Sequence, residues 1–214
     1  MLSKRLQKIA DMVKYNALVD VGSDHALLPV YLLKEGRIKR AIATDIAAGP
    51  LARGRANAKA HKVDGQIDFV QADGLRWAAT SRPYETLVVA GMGGETIMRI
   101  LQDSPDFGQL LLSPQRDVPA VRRFLHGKEF AIVGETMVHE HGKFYFIIDA
   151  KPSKAAKCRP YNDAEYSFGR HLIDTRCSIL KRYIQAEIVK HEKINRAEYS
   201  EYLDLCKDVL KCIQ

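Results

Sequence analysis

The sequence predicts an α/β protein with a mostly parallel sheet, an antiparallel hairpin at its end and a small helical domain after it. Short apolar runs alternate with helical patterns through the first part of the chain, which is typical of a parallel sheet covered on both faces. Two β-rich segments then flank residues 141–143, as in a hairpin, and two helical stripes follow. We therefore expect an α/β domain at residues 1–152 and a helical domain at residues 153–214.

The pattern of apolar residues gives each element in turn. Ser3 is placed to cap a first helix, whose apolar side chains keep helical spacing up to Val13. Helical spacing also follows the first apolar run as far as Gly36 and recurs later. The predicted parallel strands are residues 17–22, 40–45, 66–71, 86–90 and 110–112. The later predicted helices are residues 50–61 and 118–126, and the predicted hairpin strands are residues 131–138 and 144–149.

The end of the chain differs in character from the part before it. Residues 151–157 are basic, contain a proline and lack bulky apolar groups, which predicts a linker. Beyond them, apolar residues at helical spacing in 179–188 and 202–210 predict a packed pair of helices.

Composition limits the class of protein. Hydrophobic residues make up 46% and charged residues 28% of the chain, which is an ordinary globular balance. No apolar run approaches the roughly 20 residues that span a bilayer, and the amino terminus has no signal-peptide pattern. The 4 cysteines include no Cys-x-x-Cys pair. We therefore expect a cytoplasmic monomer with reduced thiols and without a metal site or membrane contact. The net charge of +7 is compatible with a polyanionic partner but does not establish one.

The loop after the first strand indicates the kind of ligand. A dinucleotide site has a second glycine at the position of Asp24, where backbone N–H groups approach a pyrophosphate. A carboxylate there repels phosphate, which argues against NAD and FAD. Asp20 and Gly22 keep the start of the loop pattern found in methyltransferases. A carboxylate-lined loop suits S-adenosylmethionine, which carries an ammonium and a sulfonium but no phosphate.

Similar candidates follow the next strands. Asp45 can accept hydrogen bonds from ribose hydroxyls, although capping a helix is an alternative role. Asp73 can accept from an adenine amino group, or can simply form a turn before Gly74. The run from Gly91 to Gly94 lets backbone approach a ligand closely, or merely forms a tight connection. Candidates at successive strand ends favour a common ligand site.

These motifs together resemble a known family. The run from Asp20 to Ala26, the run from Ala90 to Gly94 and the later run from Gly142 to Tyr145 are similar to those of the bacterial tRNA (adenine-N1)-methyltransferases of the TrmK type. The resemblance covers nearly the whole chain, including a helical carboxy-terminal domain. The chain departs from the family pattern at Leu27, at residues 113–115 and at Phe146.

The resemblance implies a Rossmann-like class I methyltransferase that methylates N1 of adenosine 22 in tRNA, with S-adenosylmethionine as cofactor. N1 is largely unprotonated at neutral pH, so positioning suffices without a strong base. It lies on the Watson–Crick edge, so the adenosine must be unpaired. The implied cofactor residues are Asp20, Gly22, Ser23, Asp24, Asp45, Ile46, Asp73, Gly74, Ala90, Gly91, Met92 and Gly93. The implied catalytic residues are Asp24, His25 and Gln115, with a purely structural role as the alternative for His25.

Other functions remain open from the residues alone. One alternative is a class I methyltransferase that acts on another RNA site or on a small molecule. Another is a tRNA-binding protein whose cofactor pocket is vestigial. For the carboxy-terminal helices we expect phosphate contacts, and solvation of an exposed face is the alternative. The candidate RNA-binding residues there are Lys181, Arg182, Lys190 and Lys193.

Overall fold

The fold is organised around one sheet. The computed structural model describes residues 2–75, 85–102, 107–153, 159–194 and 199–213. Within these residues a 7-stranded sheet has the order β3-β2-β1-β4-β5-β7-β6. The strands are β1 (Ala17–Val21), β2 (Arg40–Asp45), β3 (Ile67–Gln71), β4 (Thr86–Ala90), β5 (Gln109–Ser113), β6 (Phe130–Glu140) and β7 (Lys143–Pro152). Strands β1 to β5 are parallel, whereas β7 is antiparallel to both β5 and β6.

Helices cover the sheet and follow it. They are α1 (Lys4–Met12), α2 (Leu27–Lys34), α3 (Ala48–Ala60), α4 (Gly94–Gln102), α5 (Val118–Gly127), α6 (Asp163–Phe168), α7 (Arg170–Asp174), α8 (Ser178–Ile194) and α9 (Ser200–Cys212). Ser3 caps α1 as predicted, because its Oγ accepts a hydrogen bond from the Leu6 N–H at 3.2 Å. No helix in the described ranges is both long and apolar enough to cross a membrane.

The predicted sheet is confirmed, and two details are corrected. The bounds of β2 and β4 are those predicted, and the two hairpin strands are longer than predicted. Strand β7 continues to Pro152, because Ala131 pairs with Lys151 and Phe130 with Pro152. The predicted linker therefore begins inside the sheet, and its residues 154–157 lie outside the described part of the chain.

The chain order creates a crevice. From β1 the chain builds outward through β2 and β3, and it then returns to the other side of β1 with β4 and β5. The order therefore reverses between β1 and β4. Loops at the carboxyl ends of these two strands leave in opposite directions, which opens a crevice where ligands bind in sheets of this kind. All the strand-end candidates from the sequence lie along this edge.

The carboxy-terminal helices pack onto the sheet domain. The short helices α6 and α7, which the sequence pattern did not predict, contribute Phe168 and Leu172 to a core shared with α5 and β6. A buried ion pair between Arg122 and Glu135, with Nε and Oε1 2.7 Å apart, lies at this junction. Arg122 also donates to the carbonyl of Tyr166 at 2.8 Å. Helices α8 and α9 form the predicted helical pair. The described cysteines, Cys177, Cys206 and Cys212, are free thiols.

Candidate active site

A cavity of about 150 Å³ opens at the carboxyl ends of β1 to β4. It lies where the strand order reverses, and α4 supplies one wall. The residues that line it are Val21, Gly22, Asp45, Ile46, Ala72, Asp73, Gly74, Met92, Thr96, Arg99 and Ile100.

The loop after β1 is built on a buried carboxylate. Asp20 accepts a hydrogen bond from the Ser23 hydroxyl, with 2.5 Å between the two oxygens. Burial raises the pKa of Asp20 from 3.8 to about 6. The N–H groups of Gly22 and Ser23 both donate to the Thr44 carbonyl, at 2.8 and 2.9 Å. Asp20 therefore fixes the shape of this loop and does not itself line the cavity.

Asp24 and His25 lie next to the cavity and are tied to α3. Arg53 donates from Nη2 to Asp24 Oδ1 and from Nε to His25 Nε2, both at 3.1 Å. Asn57 donates to the His25 carbonyl at 2.8 Å. His25 and Ala26 have φ of 56° and 48°, a left-handed conformation that is costly for residues with a side chain. The contacts from α3 hold this strained turn in place.

The residues after β2 offer one polar and one apolar surface to the cavity. Asp45 Oδ1 accepts from the Ala47 N–H at 2.9 Å, and the N-cap of α3 is Ala47. The alternative role of Asp45 as a helix cap is therefore wrong. Its second oxygen, Oδ2, accepts no hydrogen bond from the described residues. Ile46 lines the cavity and has 68% of its surface exposed.

Asp73, after β3, has a partner that the sequence did not indicate. Both of its carboxylate oxygens accept from Arg99 of α4, each at 2.9 Å. This bidentate pair forms part of the cavity wall. An adenine amino group at Asp73 would have to share an oxygen with Arg99. Gly74 has φ of 71° and brings the turn close to Ile100.

The loop after β4 contributes Met92 to the cavity wall and is joined to the loop after β5. The Gly91 N–H donates to the Ser113 carbonyl at 3.1 Å, and the Gln115 N–H donates to the Met92 carbonyl at 2.8 Å. A β-carbon on Gly22 would lie 2.2 Å from Met92 Cε, so the Met92 side chain needs a glycine opposite. These contacts join the loops after β4 and β5, and they leave the Gln115 side chain exposed.

The structure brings some of the predicted residues into the cavity and leaves others around it. The predicted residues that line it are Gly22, Asp45, Ile46, Asp73, Gly74 and Met92. Those outside the lining are Asp20, Ser23, Asp24, His25, Ala90, Gly91, Gly93 and Gln115. The sequence did not indicate Arg53, Asn57, Thr96 or Arg99, because all of them reach the crevice from helices. Phe146 is buried beneath the Arg122 guanidinium and does not line the cavity.

The basic residues predicted to bind RNA are spread along α8. Arg182 Nη2 lies 3.3 Å from His139 Nδ1, so this side chain turns back toward β6. Lys190 pairs with Glu187 of its own helix at 3.2 Å. Lys193 is exposed, and Lys181 is half-buried. None of them lines the cavity.

The residues of the crevice fit a nucleoside cofactor that carries positive charge. A phosphate-binding loop has a glycine at the position of Asp24, so the loop after β1 lacks the close backbone approach that a pyrophosphate needs. The free oxygen of Asp45 can accept from a ribose hydroxyl. The exposed side chain of Ile46 can cover a planar base. Among the described residues, no group of three or more His, Cys, Asp or Glu side chains is arranged to hold a metal ion.

Comparison with known proteins identifies the family. Residues 18–210 match the family described as TrmK, tRNA (adenine(22)-N(1))-methyltransferase. The chain belongs to this family. A Bacillus subtilis protein named tRNA (adenine(22)-N(1))-methyltransferase is 32% identical over 155 residues, which are 70% of this chain and 65% of that protein.

Solved structures of similar proteins contain the cofactor or its product. A Streptococcus pneumoniae protein solved in complex with S-adenosyl-L-methionine is 32% identical, with a TM-score of 0.84 over 100% of this chain and 98% of that one. The M. capricolum TrmK, solved with S-adenosyl-homocysteine, is 25% identical, with a TM-score of 0.88 over 100% of both chains. The predicted TrmK family, with its methyltransferase activity on tRNA and its cofactor S-adenosylmethionine, is thereby confirmed.

Proposed function

We propose that this TrmK chain transfers a methyl group from S-adenosylmethionine to N1 of adenosine 22 in tRNA, with the strand-end crevice as its active site. The observation that carries the proposal is the crevice itself. It combines a first loop that lacks the second glycine of a dinucleotide site with a free carboxylate oxygen on Asp45 and an exposed apolar wall at Ile46. A methyltransferase needs such a combination of walls to hold S-adenosylmethionine, which is a cationic nucleoside.

The walls of the crevice would contact different parts of the cofactor. Asp45 Oδ2 would accept from the ribose hydroxyls, and Ile46 would cover the adenine ring. Asp73, held in place by Arg99, would accept from the adenine amino group. Gly22 leaves room for the Met92 side chain, and both residues line the cavity. When bound, S-adenosylmethionine supplies an electrophilic methyl group on a sulfonium.

The residues proposed to face the target adenine are hydrogen-bonding groups rather than a strong base. Arg53 donates to His25 Nε2, so the lone pair of Nε2 is engaged in this hydrogen bond and the imidazole proton is assigned to Nδ1. One oxygen of Asp24 is engaged by Arg53, and the other can face the positive charge that develops on the adenine. The exposed Gln115 can accept from the exocyclic amine. The reaction then depends on orientation, with His25 as part of the scaffold.

The rest of the chain would hold the tRNA body. Lys181, Arg182, Lys190 and Lys193 on α8 are candidates for phosphate contacts that do not depend on sequence. The crevice and these residues belong to one chain, so we propose that a monomer is the active unit. Since tRNA is the substrate, we place the enzyme in the cytoplasm.

The test uses unmodified tRNA transcripts. The purified protein is incubated with S-adenosylmethionine and a transcript that carries adenosine at position 22, and the methylated nucleosides are mapped by mass spectrometry. A matched transcript with guanosine at that position is the control. We expect 1-methyladenosine at position 22 and no methylation of the control. Methylation at another nucleotide, or of the control, would contradict the proposed target, and absence of methylation would contradict the activity.

A further inference from the structure

Arginine side chains surround the crevice, but they differ in how their charge is balanced. On the cofactor side, which we define as the ends of β1, β2 and β3 with their loops, Arg99 forms a bidentate pair with Asp73 and Arg53 pairs with Asp24. On the open side, which we define as the loops after β4 and β5 with the start of β7, Arg5 and Arg116 lie against the glycine loop. These two have no comparable carboxylate among the described residues.

Arg5 is the better defined of the two. Its guanidinium carbon lies 4.9 Å from the centre of the Tyr145 ring, a cation–π contact that fixes the plane of the group. A β-carbon on Gly91 would lie 3.4 Å from both Nη atoms, so the guanidinium rests directly on the loop after β4. Nη1 is enclosed and makes no hydrogen bond to any described residue. Because Nη1 is enclosed, an anionic acceptor can reach only the remaining edge of this half-buried side chain, where it would balance the charge.

Arg116 lies at the other end of the same loop. A β-carbon on Gly93 would lie 2.9 Å from Arg116 Nε. The side chain is 74% exposed, and its nearest carboxylate, on Asp117, is 3.6 Å away and also exposed. An exposed pair at this distance neutralises little of the charge. The run from Gly91 to Gly93 therefore has an incompletely balanced guanidinium at each end.

The difference between the two sides matches the charges of the two ligands. A cationic cofactor is disfavoured by bare guanidinium groups, and on its side they are paired with carboxylates. RNA is a polyanion, and guanidinium groups bind phosphate oxygens through two parallel hydrogen bonds.

We propose that Arg5 and Arg116 form the surface that binds the tRNA backbone at the active site, and that they hold phosphates on either side of the target adenosine over the loop from Gly91 to Gly93. Tyr145 keeps the Arg5 guanidinium in the orientation that a phosphate needs. This inference rests on the proposed function, because it takes tRNA as the substrate. It assigns local phosphate contacts to the sheet domain, in addition to those proposed for α8.

The test compares three glutamine variants. Arg5→Gln and Arg116→Gln remove the proposed phosphate contacts, and Arg55→Gln is the matched control. Arg55 is an exposed arginine on α3 that contacts Phe69, with Nη2 3.1 Å from its carbonyl oxygen and the guanidinium 4.8 Å from its ring. The tRNA dissociation constant is measured by filter binding over a range of salt concentrations. Calorimetric titration with S-adenosylmethionine and the melting temperature report on the cofactor site and on folding.

The expected result is a change in the salt dependence of tRNA binding. Each of Arg5→Gln and Arg116→Gln should lower the slope of log K against log salt by about 1, and Arg55→Gln should leave it unchanged. Cofactor affinity should stay within about twofold in all three, because none of these side chains lines the cavity. If Arg5→Gln does not fold, Arg116→Gln still decides, since its exposed side chain is not needed for packing.

Two results would overturn the inference. One is that the slope of log K against log salt is unchanged in the folded Arg5→Gln and Arg116→Gln variants. The other is that Arg55→Gln lowers this slope as much as they do. Filter binding requires no turnover, so this failure is separate from failure of the proposed function. A wild-type protein that methylates adenosine 22 while these variants bind tRNA normally contradicts only the present inference. A wild-type protein that binds tRNA through both arginines but leaves adenosine 22 unmethylated contradicts only the proposed function.

Discussion

Replacing Arg53 with alanine removes the α3 side chain that donates to the side chains of both Asp24 and His25. Arg53 donates to both residues at 3.1 Å, and it also braces a turn in which His25 has φ of 56°. The side chains of Arg53 and Asp24 are 51% and 66% exposed, so solvent weakens each contact. Exposed charge contacts of this kind contribute about 0.5–1 kcal/mol each.

Loss of both contacts should therefore cost about 1–2 kcal/mol of positioning, which corresponds to a decrease of about 5–30-fold in the rate of methyl transfer. The assay is a single-turnover measurement with enzyme and S-adenosylmethionine saturating over the tRNA transcript. Cofactor affinity should change by less than about twofold, because Arg53 does not line the cavity.

Two further variants test the reasoning. Arg55→Ala removes the same charge from the same helix without touching Asp24 or His25, and its rate should match that of the wild type. Arg53→Lys keeps the charge but cannot serve both acceptors with one planar fork, so it should recover only part of the rate. A wild-type rate for Arg53→Ala, or an equal loss for Arg55→Ala, would refute the positioning role of Arg53.

The remaining predictions concern cofactor binding and stability. Asp45→Ala should weaken S-adenosylmethionine binding by about 1.5–3 kcal/mol in calorimetry, because a charge-assisted ribose contact is lost; unchanged affinity would remove Asp45 from the site. Burial raises the pKa of Asp20 from 3.8 to about 6, so ionisation penalises the native state. As the pH rises from about 4 to about 7, the wild type should therefore lose about 2–3 kcal/mol of unfolding free energy relative to Asp20→Asn, as measured by urea denaturation. A difference between the two proteins that stays constant with pH would show that Asp20 titrates normally. Arg122→Met leaves Glu135 buried without its partner and should lower the unfolding free energy by about 3–5 kcal/mol. Adding Glu135→Leu should restore most of this loss. If the double variant is as unstable as Arg122→Met, an uncompensated buried charge is not the cause.

The strand ends could be predicted from the sequence because the information is local. Each parallel strand is a short apolar run, and its functional residue follows directly, as Asp45 does after β2. The arginines that complete the site are different. Arg53 and Arg99 lie 29 and 26 residues from Asp24 and Asp73, on helices whose rotation over the sheet is set by packing. Local pattern carries no signal for such pairs.

The carboxy-terminal part shows a second limit of sequence pattern. Helices α6 and α7 are only 6 and 5 residues long, too short for helical periodicity to be detected. They nevertheless bury Phe168 and Leu172 against the sheet domain, and Arg122 reaches the backbone carbonyl of Tyr166. The apolar stripes of α8 and α9 were detectable because these helices are longer. Removing the residues after the hairpin would therefore expose part of the main core.

The most direct test of the site is a crystal structure of this chain with bound S-adenosyl-homocysteine. The quantity to measure is the distance from the ribose hydroxyl oxygens to the Asp45 carboxylate oxygens. We predict hydrogen-bond distances of about 2.5–3.0 Å there, with the adenine against Ile46 and the open side left free for RNA beside Arg5 and Arg116. A ribose that does not contact Asp45, or a cofactor bound away from the ends of β1 to β3, would contradict the account.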